Sequence, residues 1–235
     1  MFNEKLKKQI NHVGATLFHA YLNFELFIYP MKNDKFHTIS TNFIFIHLIF
    51  LQQLYISVRK LVEPETQKKD KTTLDSIYKT IFDKNFNISI SASDELIKML
   101  PLTNTEINFQ YLTKYMQNII DDIRNSPQML EVRIIRHFIV HSLNPKPNNA
   151  SVTDKKLKEL EKNMYTIGVI LNILNDAVDP DKRFNIKDVK KLTAKLAKDF
   201  WTVLGLGVAT LNPNFEEYNQ EMNKIWQALT KINEN

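Results

Sequence analysis

The chain contains no cysteine, only four glycines and no uninterrupted apolar run long enough to span a membrane. Without cysteine there are no disulfides, no thiolate zinc sites and no cysteine nucleophile, a composition that fits the reducing cytoplasm. The glycines, Gly14, Gly168, Gly205 and Gly207, are too few for hairpin turns or phosphate-cradling loops. Neither G-x-G-x-x-G nor G-x4-G-K-[ST] can be written anywhere in the chain, which removes dinucleotide and P-loop binding of those kinds. The N-terminal stretch is basic, but Asn11 and His12 interrupt it before an apolar segment of signal-peptide length, so no export signal is expected. The most apolar stretch, Phe43 to Leu51, contains His47 and runs into Gln52-Gln53. It falls short of the roughly 18 apolar residues of a membrane span and is expected to be a buried helix. The net charge of +5, from 31 basic and 26 acidic residues, specifies no partner. Such an excess favours a polyanion only by raising its local concentration, and a lysine-rich surface accounts for it equally.

What the chain does have is 43% hydrophobic and 11% aromatic content over 235 residues, enough for a sizeable core. With so little turn-forming glycine, the expected fold is all-α: a single domain over 1–235, built as a bundle of six to eight helices. Ile10, Val13, Leu17, Tyr21, Phe24 and Ile28 recur at helical spacing and predict a first helix over about Lys5 to Tyr29, closed by Pro30. A second, apolar on nearly every side and so expected at the centre, covers about Ile39 to Leu61. A short helix is expected over Thr73 to Phe82. Asn87-Ile88-Ser89-Ile90-Ser91 alternates like a strand, but no second strand is evident, so a loop is expected there. Thr103-Asn104-Thr105-Glu106 reads as a capping box that opens a helix at Glu106, with Ile107, Tyr111, Tyr115 and Ile119 as its stripe, until Ser126-Pro127 breaks it. Thr153 or Asp154 begins a long helix through Leu157, Leu160, Met164, Ile167, Ile170, Leu171 and Leu174 that ends at Asp179-Pro180. A C-terminal helical pair covers about 186–232, one helix over about Ile186 to Leu204 and the other over Asn214 to Ile232. The aromatic residues Tyr111, Tyr115, Phe138 and Trp201 share helical spacing with Leu and Ile, which assigns them to packing rather than to base stacking.

One segment carries residues suited to chemistry. Arg136-His137-Phe138-Ile139-Val140-His141 lies in an apolar helical stretch that opens after Pro127 and stops at Asn144-Pro145. Three readings of it stand. In a regular helix five residues advance by about 140° beyond a full turn, so Arg136 and His141 converge only where the helix ends, or where a second copy brings its own pair alongside. A composite site between two protomers meets that condition. His137 and His141, four apart, share a face and have the spacing of two zinc ligands, but Phe138 occupies the place of the glutamate a zincin needs. In the third reading the arginine and histidines are the satisfied polar stripe of a packed helix.

Arg136, His137 and His141 together resemble the R-x4-6-H motif of the HEPN superfamily, helical-bundle proteins in which Asn, Asp or His commonly follows the arginine. Upstream, Leu54 to Pro64 followed by Lys71 to Ile77 resembles the abortive-infection branch, where a long helix ends in an R-x-[LF]-[VF]-[DE]-like stretch before a helix opened by Ser or Thr. The resemblance spans about residues 40 to 145 and implies a HEPN-like core over about 40–180. It also implies a metal-independent, cofactor-free ribonuclease, a toxin or phage-defence effector whose RNA site is completed in a homodimer. Arg136 and His141 would be catalytic, with His137 and Arg133 supporting the site or contacting RNA. An antitoxin or other defence partner is implied as well. In members silenced by a nucleotidyltransferase, a tyrosine often stands two places after the motif histidine; here that place holds Leu143. The alternative is a HEPN-like module that binds nucleotide or protein without catalysis. RNA binding through several phosphates would weaken steeply with salt, and apolar docking would not.

Overall fold

The stripe Ile10, Val13, Leu17, Tyr21, Phe24 and Ile28 is buried along one 31-residue helix, α1 (Phe2–Lys32). Six helices and one short ladder are present among the residues that the computed structural model describes, namely 2–32, 41–63, 73–82, 89–91, 106–127, 153–178, 185–203 and 220. After α1 come α2 (Thr41–Val62), α3 (Leu74–Phe82), β1 (Ser89–Ser91), β2 (Glu106–Asn108), α4 (Phe109–Asn125), α5 (Asp154–Val178) and α6 (Ile186–Val203). The helical class expected from the glycine count therefore holds. No helix among the described residues is long and apolar enough to cross a membrane. The expected helix over Asn214 to Ile232 lies outside the described residues, apart from the helical Gln220.

The chain divides into two compact units, one of Met1–Leu17, Lys60–Ser126 and Lys162–Ile186, the other of Phe18–Arg59, Pro127–Glu161 and Lys187–Asn235. In the first unit, α3 is opened by a reciprocal cap. The Ser76 amide donates to Thr73 Oγ1 at 3.3 Å, and the Thr73 amide donates to Ser76 Oγ at 3.0 Å. Serine here fills the role that glutamate or glutamine takes in the usual capping box. α3 packs against α4. The strand-like alternation near Ser89 does find a partner: β1 pairs antiparallel with β2, setting Ile90 opposite Ile107. Glu106 therefore lies in a strand rather than at a helix start, and α4 begins three residues later at Phe109. The polar–apolar–polar sequence Glu106-Ile107-Asn108 suits a ladder, and a paired strand satisfies backbone groups that a lone one could not. Along α4 Met116, Ile120 and Ile123 are buried and Ile119 is half-buried, while the side chains of Ile107, Tyr111 and Tyr115, the rest of the expected stripe, lie outside the described residues.

α5 begins where expected. Thr153 Oγ1 accepts the Lys156 amide at 3.2 Å, and Leu157, Leu160, Met164, Ile167, Ile170, Leu171 and Leu174 are all buried. Gly168 faces Ile186, the first residue of α6. A Cβ at position 168 would stand 2.5 Å from Ile186 Cδ1, so the absent side chain is what allows this close approach.

In the second unit, α1 does not stop at Pro30 but continues to Lys32, with the proline in its last turn. Proline has no N–H and so cannot donate to the carbonyl four residues earlier, that of Leu26. The indole Nε1–H of Trp201 donates to that carbonyl at 2.9 Å. Trp201 is 1% exposed and packs with Leu26 and Ala197, against Leu22, Tyr29, Ile46 and Phe50. Its ring lies edge-on to Phe50 and Phe200, at 6.0 and 5.4 Å between centroids. Packing is therefore its role, as its helical spacing implies. The proline is tolerated because the lost donor is replaced from another helix.

Trp201→Phe leaves the Leu26 carbonyl buried without a donor and is expected to cost about 1–3 kcal/mol. In a Pro30→Ala background the restored amide serves that carbonyl, and the same substitution costs about 1 kcal/mol less. Urea unfolding of the four chains measures this coupling. Equal losses in both backgrounds would show that the bond does not compensate for the proline.

Candidate functional site

Arg133, Arg136, His137 and His141, the residues singled out by the sequence, lie outside the described residues, as does Leu143. Of the upstream segments, Leu54 to Glu63 and Thr73 to Ile77 are described. α2 ends at Val62, within one residue of the expected boundary, with Arg59, Leu61 and Val62 buried, and Thr73 caps the next helix. The entry to the motif-bearing segment is also described. Ser126 closes α4 by donating from its amide and its Oγ to the Ile123 carbonyl, at 3.2 and 2.8 Å, and Pro127 is helical.

Just before that entry, in the first unit, the structure gathers a cluster of charged and amide groups. Arg124 Nε donates to the Val62 carbonyl at 2.7 Å, while Nη1 pairs with Asp121 and Nη2 lies 3.5 Å from Asp75 Oδ1. The Gln117 amide donates to Asp75 at 3.4 Å and to both Asp121 oxygens, at 3.3 and 3.2 Å. Lys79 pairs with Asp75 from the next helical turn, at 3.1 Å. Asp75 is 5% exposed and belongs to the first turn of α3, where a carboxylate is favoured by the helix dipole. Beside the cluster, burial and then the negative charges of Asp121 and Asp75 hold the Tyr78 phenol above its ordinary value.

The chemistry available to this cluster is limited by its own pairing. A general base needs an oxygen that can take a proton, whereas Asp75 is held by Arg124, Gln117 and Lys79. The arrangement is a clamp. It satisfies a carbonyl of the last turn of α2, which the helix itself leaves without a donor, and ties it to α3 and α4. The buried Gln117 Oε1 has no hydrogen-bond partner. The clamp is not visible in the sequence. The i,i+3 spacing of Asp121 and Arg124 is a local signal, but Asp75 and Val62 reach Arg124 across 49 and 62 residues.

The second unit holds a buried acid. Glu25 is 9% exposed, and burial raises its carboxyl above the usual carboxylate range; Lys32 opposes the shift, Glu161 adds to it and Lys190 opposes it. Lys190 Nζ itself pairs with Glu161 at 2.6 Å, joining α6 to α5. Among the described residues no three His, Asp or Glu side chains come together in a way that could hold a metal ion.

Two expectations follow from these clusters. Arg124→Ala and Arg124→Lys should both lower stability by about 2–3 kcal/mol, because lysine cannot span Val62, Asp121 and Asp75 with a planar fork. A lysine variant with wild-type unfolding in urea would show that the fork is unimportant. Glu25 is protonated more readily in the folded chain than in the unfolded one, so its contribution to stability is greatest below its unfolded value. That contribution is lost as pH rises through the raised value. Glu25→Gln should therefore raise Tm relative to the parent at pH 8 and leave it unchanged near pH 4. The opposite ordering would mean that Lys32 and Lys190 outweigh burial.

No protein-family model, curated protein or solved structure matches this chain.

Proposed function

We propose that the chain is a metal-independent endoribonuclease of HEPN type, acting as a toxin or phage-defence effector at a composite site between two protomers. One observation carries this reading: Arg136, followed at once by His137 and five places on by His141, just before the helix-stopping Asn144 to Asn149. Cleavage of RNA by its own 2′-hydroxyl requires a group to move that proton and positive charge for the pentacovalent phosphate. A histidine titrating near neutrality does the first, and His141 is given that role as base or acid. Arg136 clamps the scissile phosphate with two parallel N–H donors and offsets its growing charge. His137 orients the pair or contacts RNA, and Arg133, one turn earlier, adds phosphate affinity. With Leu143 in place of a tyrosine, silencing by nucleotide transfer is not expected, and an antitoxin would act by contact.

Incubation of the purified chain with labelled single-stranded RNA in the presence of a chelator tests the proposal. Fragments ending in a 2′,3′-cyclic phosphate are expected. Arg136→Ala and His141→Ala should each lower the rate by at least about a hundredfold while leaving folding and association intact. Full activity in either variant would refute it.

A further inference from the structure

Six exposed lysines of the second unit gather on one side of α5 and α6. On α6, Lys187, Lys191, Lys195 and Lys198 fall, at 100° per residue, within an arc of about 80° that otherwise holds only Thr202. The Thr202 hydroxyl is turned back to the Lys198 carbonyl at 2.8 Å, so the arc presents little besides positive charge. α5 supplies a second row. Lys190 of α6 pairs with Glu161 of α5, while Ile186, earlier in α6, meets Gly168, later in α5, so the two helices run antiparallel. Measured from Lys190, the four α6 lysines are turned by about 60–140°. Measured from Glu161 in the same sense, Lys158 and Lys155 are turned by about 60° and 120°. On antiparallel helices equal senses lead to one side. With Lys190 and Glu161 level, Lys191, Lys158, Lys195, Lys155 and Lys198 follow at about 1.5, 4.5, 7.5, 9 and 12 Å, drawn alternately from α6 and α5. Among the described residues Lys155, Lys191, Lys195 and Lys198 form no ion pair. Lys158 pairs with Asp154 where both are well exposed, and such a pair is worth little.

What surrounds the lysines selects the partner. Counted onward from Lys191, Asp188 and Asp199 stand at about 60° and 80°, and the exposed Leu192, Leu196 and Phe200 at about 100–180°. A bilayer that took up the apolar groups would press both carboxylates against lipid phosphates and leave the lysines turned away. A single strand of nucleic acid is held by aromatic side chains on which its bases stack, and the lysine arc of α6 contains none. A duplex keeps its bases stacked inside and offers phosphates from two strands, one per about 1.7 Å of its axis. Two alternating rows of cations, on helix axes about 8–10 Å apart, suit such a surface. We propose that this face of α5 and α6 seats the phosphate backbone of a nucleic-acid duplex and does so without reading its sequence.

Fluorescence anisotropy of a labelled DNA duplex of about 20 base pairs, which no 2′-hydroxyl mechanism can cut, is the direct test. With four or five phosphates neutralised, affinity should fall at least about a hundredfold between about 50 and about 200 mM salt. Absence of binding at about 50 mM salt and about 100 µM chain, or binding indifferent to salt, would overturn the proposal. Lys191→Ala combined with Lys198→Ala should weaken binding at least about tenfold and lower the salt slope by about two. Lys5→Ala combined with Lys8→Ala removes the same charge from α1 and should change the affinity by less than about twofold. Equal losses in the two pairs would reduce the effect to net charge and refute the site. A single strand of the same sequence should bind more weakly; equal or tighter binding of it would refute the duplex. So would capture of the chain by vesicles of anionic phospholipid in preference to the duplex. The inference does not rest on the ribonuclease reading: Arg136→Ala should hold the DNA duplex as the parent does, whatever it does to RNA.

Discussion

The carbonyl of Leu26 cannot accept the usual helical bond from four residues on, because that residue is Pro30, and the indole of Trp201 takes that place. The same constraint acts at every described helix end: peptide groups without partners must be satisfied from outside the helix. A chain rich in glycine meets it with left-handed turns that fold the backbone back on itself. This chain has four glycines and meets it with side chains. Thr73 and Thr153 cap the starts of α3 and α5, Ser126 closes α4, and Arg124 reaches the Val62 carbonyl at the end of α2. The bonds from Arg124 and Trp201 are long-range, so they join helices while they satisfy their last turns.

Such joining explains where polar groups occur in an otherwise apolar interior. Arg124 is held among Asp75, Asp121 and Gln117 because a carbonyl at the end of α2 and a carboxylate at the start of α3 both need a donor, and one planar guanidinium serves both. Among the described residues no comparable arrangement serves Glu25. It is enclosed where five consecutive residues of α1, Phe24 to Ile28, are all buried, and its two lysines do not offset the loss of water. One unit thus neutralises its buried acid with a clamp, and the other keeps an acid that resists ionisation.

How much of this could be read in the sequence depended on distance along the chain. The buried faces of α1 and α5 repeat every three to four residues, so the pattern names them within a single window. The cap at Thr153 is local for the same reason. The ladder was missed because three alternating residues are too few to signal a strand, and the partner lies on the far side of residues 92–105. A Thr-x-x-Glu pattern at Thr103 then pointed to a helix where pairing with Ser91 takes precedence. The end of α1 was misjudged by two or three residues, since nothing near Pro30 shows that a tryptophan far downstream will supply the missing bond. For the candidate site the position is reversed. Arg136, His137 and His141 are legible as a local motif, while the convergence that would give them chemistry is a matter of tertiary and quaternary placement.

The Trp201 bond also has a bearing on the order of events during synthesis. Donor and acceptor are separated by 175 residues, and at roughly 5–20 residues per second the ribosome needs about 10–35 s to make the stretch between them. Throughout that interval there is no indole to serve the Leu26 carbonyl, and water is left to take its place. The first helix to be made is therefore among the last to be finished, and an unfinished chain released before Trp201 leaves that end of α1 open to solvent.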